Sequence, residues 1–363
     1  MPRKKNLVYV VGMHRSGTSM LANMLHELGV YFGEREDLYE ANAGNVFGHF
    51  ENKGAIKLDY KIFRMYGGTW IKPPKLRKDW HKMKKIEYQR NDAQTFLMDL
   101  SRKHDLVGLK IPNLSYTYPF WKYAADLLKL ESKPILIYRN PLEVAGSLSK
   151  RNNMGTRLAL KYWEMYNASA LETLQGSGYL LLRYEDIVND PQPALAKIIN
   201  YLNLKLSDKE LLRAKLAVFP EVRHNTIDDK ELFGSDEVAE EVKAMLQKIN
   251  TMNKKVKMVG SNRLEKLKKN EVLLGEVQLE VLKERISSMD ELILVQRRDY
   301  EAKYKAQHRV LKDRYKSMKE MGTTIKRLNK RNSELKQEIA RNESIINKYI
   351  RRAAKKLYKQ IKK

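Results

Sequence analysis

Apolar residues in the first 205 positions follow two rhythms. Short apolar-rich runs at Leu7–Val11, Asp105–Leu109, Pro134–Tyr138 and Tyr179–Leu182 predict buried strands. Between them, apolar residues at spacings of three and four predict helices over Thr18–Leu28, Pro119–Lys129, Pro141–Arg151, Thr156–Leu174 and Pro191–Leu202. Strand and helix in alternation is the pattern of an α/β fold, a parallel sheet flanked by helices. From Ser207 to about Gly260 the chain reads as charged helices and loops lying over that core. Residues 1–260 are therefore expected to form one domain, with its core in 5–205 and a helical cover in 206–260. Gly260-Ser261-Asn262 is the expected boundary.

Beyond the boundary the pattern changes. Residues 261–363 contain no proline and only two glycines, Gly275 and Gly322. From Met318 the apolar spacing runs through Met321, Ile325, Leu328, Asn332, Leu335, Ile339, Asn342, Ile346, Tyr349 and Ala353. A heptad seam interrupted by two asparagines predicts a long C-terminal coiled coil with its register fixed by polar layers, and hence a homo-oligomer. A solvated helix packing back on the domain is the competing description.

Charge sharpens this division. The net charge is +26; residues 1–260 hold 41 Lys/Arg against 30 Asp/Glu, and residues 261–363 hold 29 against 14. The closing stretch Arg351–Lys363 has seven basic residues and no acidic one. It reads either as a basic amphipathic helix end resting on anionic lipid or as a frayed, solvated terminus. The absence of cysteine excludes disulfides, thiolate nucleophiles and cysteine zinc sites. No segment reaches 18 apolar residues free of charge, so the expected location is cytoplasmic, with peripheral membrane contact as an addition.

The densest chemical signal is Gly12-Met13-His14-Arg15-Ser16-Gly17-Thr18-Ser19, between the first strand and the first helix. A glycine-bounded loop running into a helix N-terminus aims backbone N–H groups and the helix dipole at an anion. The spacing of Gly12 and Gly17 is that of a Walker A loop, but Thr18 stands where Lys belongs and the cation is Arg15. A second anion site is expected at Arg139, at a strand end, followed by Asn140 as helix N-cap, Pro141 in the first turn, Glu143 as the capping-box acid and Ser147 two turns in. Metal-dependent phosphoryl transfer needs a loop lysine and an acidic strand end. The strands here end in Leu109-Lys110 and Tyr138-Arg139. A P-loop kinase or nucleotide-binding protein of unusual type is thus a weaker reading, as is a coiled-coil scaffold or nucleic-acid binder.

These motifs resemble those of the sulfotransferases that use 3′-phosphoadenosine 5′-phosphosulfate (PAPS), particularly bacterial members related to carbohydrate and tyrosylprotein sulfotransferases. The resemblance spans about residues 5–225 and rests on Arg15-Ser16-Gly17-Thr18-Ser19, on Arg139 with Ser147, and on Arg183-Tyr184-Glu185-Asp186. It implies that residues 15–19 grip the 5′-phosphosulfate and that Arg139 and Ser147 grip the 3′-phosphate. It further implies a lysine at the second strand end, Lys110, near the sulfonyl group, and an arginine, Arg223 beside His224, closing over the nucleotide. No metal takes part.

Transfer requires a base for the acceptor hydroxyl and a cation for the departing phosphate. Arg15, helped by the amides of residues 16–19, suits the second role. The family's carbohydrate and tyrosine enzymes use a downstream glutamate, to which Glu51 in Gly48-His49-Phe50-Glu51-Asn52 corresponds; Glu34, Glu36 and His49 are rivals. Trp70, in Gly67-Gly68-Thr69-Trp70 ahead of Pro73-Pro74, is either a face for an acceptor sugar or a core residue. The expected partner is an acceptor saccharide or glycoconjugate.

Overall fold

The computed structural model describes residues 5–41, 48–218, 227–254, 271–317, 330–338, 340–344, 348 and 352. The chain divides into two compact units, Met1–Glu40 with Gly48–Val277, and Ala41–Phe47 with Gln278–Lys363. In the first, β1 (Asn6–Val11), β2 (Leu106–Lys110), β3 (Glu131–Tyr138) and β4 (Leu180–Arg183) form one sheet in the order β2-β1-β3-β4, parallel at every pairing. Leu7 to Val11 and Ile135 to Tyr138 are essentially inaccessible, as unbroken apolar runs in a doubly covered sheet must be.

The helices that cover the sheet are α1 (Thr18–Glu27), α2 (Lys53–Met65), α3 (Glu87–Arg102), α4 (Leu114–Leu127), α5 (Pro141–Asn152), α6 (Thr156–Thr173), α7 (Tyr184–Asn189), α8 (Pro191–Leu202), α9 (Asp208–Leu216), α10 (Asp229–Gly234) and α11 (Glu240–Lys254). The chain leaves β1 for β2 on one side, then crosses back to β3 on the other. The order of the strands therefore reverses between β1 and β3, and in open parallel sheets the crevice at the carboxyl end of such a reversal is where ligands bind. The first glycine-rich loop and Arg139 both emerge there.

Two predicted elements begin too late: β3 starts at Glu131 rather than Pro134, and α4 starts before Pro119. Pro119 does not open a helix; it is the sixth residue of α4, which starts at Leu114. Proline in a helix lacks the N–H that would bond the carbonyl four residues back. That carbonyl, of Ser115, instead accepts from Ser169 Oγ (2.9 Å) and Thr173 Oγ1 (3.1 Å) on α6. The orphaned acceptor is thus satisfied by the neighbouring helix. The helices α2 and α3 were not predicted. The first is amphipathic, burying Ala55, Ile56, Leu58, Asp59, Ile62 and Phe63 and capped by Asn52, whose side chain accepts from Gly54 N and Ala55 N.

Asp59 is the polar exception on that buried face. Its carboxylate accepts from Asn113 Nδ2 (3.0 Å) and Trp121 Nε1 (3.2 Å), tying α2 to the start and middle of α4. Asn113 precedes α4 without capping it, because its amide is engaged here and its Oδ1 accepts from Tyr166 Oη of α6 (3.4 Å). Burial pushes the Asp59 carboxyl up to about 6 against the pull of its hydrogen bonds.

From Gln278 on, the second unit is helical where described. The helix Glu271–Ser317 (α12) supplies most of it, and residues 330–338 form a further helical stretch. Most of the Met318–Ala353 seam, and the basic stretch 351–363 apart from residue 352, lie outside the described residues. No described helix is long and apolar enough to cross a membrane.

Two outcomes are expected. Ser169→Ala with Thr173→Val should cost about 1–3 kcal/mol in urea unfolding, more than the two single changes added, since one hydroxyl suffices for the Ser115 carbonyl. For Asp59, the folded form holds its proton more tightly than the unfolded chain does. Lowering the pH from 6 to about 4 should therefore stabilise wild type relative to Asp59→Asn, by up to roughly 3 kcal/mol, and raising it should remove that gain.

Candidate active site

Every strand of the sheet delivers a cation to the carboxyl edge. In spatial order these are Lys110 at the end of β2, Arg15 in the loop after β1, Arg139 after β3 and Arg183 at the end of β4. The loop after β1 is close against β3: a Cβ on Gly12 would stand 2.5 Å from the Ile137 carbonyl oxygen. Two residues of the loop take left-handed backbone, Arg15 at φ 68° and Gly17 at φ 89°. For arginine this is a strained conformation, held by the surroundings. Gly17 stands at the N-cap of α1, so that helix has no side-chain cap and no acidic residue in its first turn. Its N-terminal amides and dipole are left for an external anion.

Arg139 supports the strained loop. Its Nη1 donates to the Arg15 carbonyl (3.2 Å), and its Nε and Nη2 donate to Glu143 Oε2 (2.9 and 2.8 Å). Its guanidinium lies 4.3 Å from the centre of the Tyr184 ring, while the Trp163 indole donates to its carbonyl (2.8 Å). Tyr184 also meets Gly17, where a Cβ would fall 2.3 Å from Cδ2. Loop, tyrosine and arginine thus pack together. Ser147 also converges here, accepting from Arg15 Nε at 2.8 Å. The Arg15 pKa is lowered first by burial and then by the nearby charges of Arg151 and Arg139, the mark of a cation cluster awaiting a counter-charge.

Glu143 is not a capping-box acid. Its side chain, fully buried, is taken by Arg139 and by the Ile227 amide, which donates to Oε1 (3.1 Å), while Asn140 alone caps α5 through Leu142 N. The neighbouring Glu185 is equally committed, accepting from Asn140 N (2.7 Å) and pairing with Arg183 (2.9 Å), which also reaches Asp229 (2.7 Å).

On the other side of the loop, Lys110 is only 4% exposed. Its Nζ donates to Glu51 Oε1 (2.7 Å), to the His49 carbonyl (2.6 Å) and to Ser19 Oγ of α1 (3.0 Å). All three ammonium protons are used. Burial lowers its pKa, and the Glu51 carboxylate opposes that shift. Of the four candidate bases, Glu51 is therefore the one beside both the loop and Lys110. Glu34 accepts from Tyr31 Oη at an exposed position, and Glu36 lies in the exposed turn Arg35–Asp37. The His49 ring is half-buried, with its pKa lowered by burial and by Lys110. Arg223 and His224 lie outside the described residues.

Ser16 is fully buried, its hydroxyl without a hydrogen-bond partner among the described residues, and Thr18 and Ser19 are half-buried at the head of α1. His14 adds a neutral ring: burial brings its pKa down to about 4, with Glu51 and Lys110 the nearest charges acting on it. It meets the edges of Trp70 (5.4 Å between centroids) and Tyr166 (5.6 Å). Trp70 is half-buried, packs on the core and meets His14 of the loop, which agrees with its description as a core residue. Glu143, Tyr184 and His14 were not among the predicted site residues. An acid four residues after Arg139 was a legible helical ion-pair signal; the contact of Tyr184 with Gly17 was not.

The family model for the sulfotransferase family matches residues 8–208, more than half of the chain. The chain belongs to the sulfotransferase family. It is an enzyme of sulfonate transfer. Among solved structures, this sulfotransferase is similar to the sulfotransferase domain from the curacin biosynthetic pathway (19% identity, TM-score 0.40, covering 68% of this chain and 98% of that one). It is also similar to the sulfotransferase domain of the Synechococcus PCC 7002 olefin synthase (18%, 0.41, 69% and 97%). A mouse sulfotransferase complexed with PAP is a further likeness (16%, 0.33, 73% and 88%). No curated protein matches the chain. Among the described residues of the sulfotransferase, no cluster of His, Asp and Glu is placed to hold a metal ion.

The Gly17–Tyr184 contact makes a sharp test of this packing. Gly17→Ala should lower thermal stability by about 1–3 kcal/mol, through φ strain and the ring clash, and should alter the near-UV signal of the displaced tyrosine.

Proposed function

We propose that this sulfotransferase moves a sulfonate group from PAPS to an acceptor hydroxyl, on a carbohydrate or glycoconjugate, without a metal. The loop 15–19 takes the 5′-phosphosulfate, where the amides at the head of α1 and the unengaged Nη groups of Arg15 meet its charge. Arg139 and Ser147 take the 3′-phosphate. Three of the five N–H groups of Arg139 are already committed, so it acts both as ligand and as support of the loop.

The observation that carries the reading is Lys110 joined to Glu51 and to Ser19 of the loop. It puts a carboxylate and an ammonium together at the end of the anion cradle. In the transfer, the acceptor oxygen forms a bond to sulfur as the bond from sulfur to the bridging phosphate oxygen breaks. Glu51 takes the acceptor proton, and the charge gathering on the departing phosphate oxygen is met by Arg15 and Lys110. PAP leaves with the electron pair of the broken bond.

The C-terminal region is proposed as a coiled-coil homo-oligomerisation element. The heptad spacing from Met318 to Ala353, with its two asparagines, supports this reading. A cytoplasmic enzyme touching anionic membrane through its basic C-terminal stretch completes the proposal.

Calorimetry with PAP and turnover with labelled PAPS test the site. Arg15→Ala and Arg139→Ala should each weaken PAP binding by about tenfold or more. Glu51→Gln should keep PAP affinity within a few-fold and lower kcat by roughly 10² or more. Unchanged PAP affinity in both arginine variants would remove the site assignment, and full turnover by Glu51→Gln would remove the base.

A further inference from the structure

The segment following Glu51 carries most of the unbalanced charge of residues 1–260. Residues 53–90 hold 12 Lys/Arg against 3 Asp/Glu, while the rest of residues 1–260 hold 29 against 27. One of the three acids, Asp59, is buried, and another, Asp79, is paired with Lys82. The cations are ordered rather than scattered. Lys53, Lys57, Lys61 and Arg64 are all exposed, and spacings of four, four and three place them on one ridge of α2. At the helical rise that ridge is about 17 Å long.

The ridge continues past the helix. Lys85 Nζ donates to the Met65 carbonyl (3.2 Å) and lies 4.0 Å over the Tyr66 ring, while Tyr66 Oη donates to the Trp80 carbonyl (3.3 Å). The exposed Lys82 and Lys84 are thereby brought to the C-terminal end of α2. Lys57, Lys61, Arg64, Lys75, Arg77 and Lys78 make no ion pair with a described residue. Cations held in a row without counter-charges repel one another and raise the potential around them, an arrangement that attracts a polyanion.

The basic segment meets the chemistry at two places. It begins two residues after Glu51, whose carboxylate is held by Lys110, and midway it returns to the phosphate loop at Trp70, whose ring meets His14. We propose that the α2 ridge binds the acceptor, and that the acceptor is a linear polyanionic glycan whose charged groups lie along Lys53, Lys57, Lys61 and Arg64 while one of its hydroxyls reaches Glu51. This rests on the reading of the site as a sulfonate transferase to hydroxyl groups. A glycan meets three requirements together: charges repeating along a line, a hydroxyl close to them, and a ring that can lie on Trp70.

The test is direct binding to the full chain, independent of turnover. Labelled polygalacturonate and dextran sulfate oligomers are titrated, with uncharged dextran as control, and PAP affinity is measured on the same samples. The variants are Lys57→Gln/Lys61→Gln/Arg64→Gln and, for the C-terminal basic stretch, Lys355→Gln/Lys356→Gln/Lys359→Gln. The ridge variant should lose about tenfold in affinity for the charged glycans, the C-terminal variant should lose little, and both should keep PAP binding. Binding by the charged oligomers should weaken with salt, and dextran should not bind. Equal glycan affinity in the ridge variant, or a loss that follows the C-terminal substitutions instead, overturns the proposal. So does displacement of the glycans at lower charge concentration by polyglutamate, RNA or phosphatidylglycerol vesicles, which would reassign the ridge to another partner. Absent PAP binding in wild type would instead remove the donor reading, and the glycan titrations would still decide the ridge.

Discussion

The guanidinium of Arg139 is the point on which the anion cradle depends. It faces a buried carboxylate, Glu143, the carbonyl of a residue in strained backbone, Arg15, and the face of Tyr184. Each contact answers a different cost. The carboxylate balances a cation that is 9% exposed. The carbonyl contact holds the left-handed turn that lets Gly17 open α1. The tyrosine fills the space that the missing Cβ of Gly17 leaves. Loss of the guanidinium would take a cation from a buried acid and leave the loop without its brace.

Lys110 on the other side of β1 is built by the same logic with a different outcome. Its three protons are spent on Ser19, His49 and Glu51, so it is a buried cation with full coordination and one ionic partner. The sheet order makes this symmetry possible. With β1 between β2 and β3, the loop after β1 has a strand-end cation on each side, one paired within its own helix turn and one paired with the proposed base. Lys110, Arg139 and Arg183 each face a carboxylate, whereas Arg15 has none among the described residues, so the unbalanced positive charge of the edge sits at the loop.

Much of this was legible in the chain. The first strand, loop and helix were predicted nearly to the residue because a continuous apolar run, two glycines and an amphipathic run differ sharply in period. The end of β3 and the start of α5 were legible through Asn140 and Pro141. Glu143 was misread because a capping-box acid and an i,i+4 ion-pair partner look alike in sequence, and only the position of Arg139 separates them. The helix α2 was overlooked although Ala55, Ile56, Leu58, Ile62 and Phe63 recur at helical spacing opposite its lysines, a pattern that was legible in the chain. The contacts between Tyr184 and Gly17, and between Trp70 and His14, join residues distant in sequence. Spacing carries no information about them.

The proline inside α4 has a consequence for how helices find their places. By withholding one N–H, Pro119 leaves the Ser115 carbonyl facing outward, and the hydroxyls of Ser169 and Thr173 meet it from α6. Apolar surfaces between two helices tolerate sliding and rotation at modest cost, whereas a buried acceptor with two donors accepts one axial setting. A residue that weakens its own helix therefore fixes the register of the next. Proline at 119 therefore calls for a hydroxyl at 169 or at 173, and either one alone can answer it.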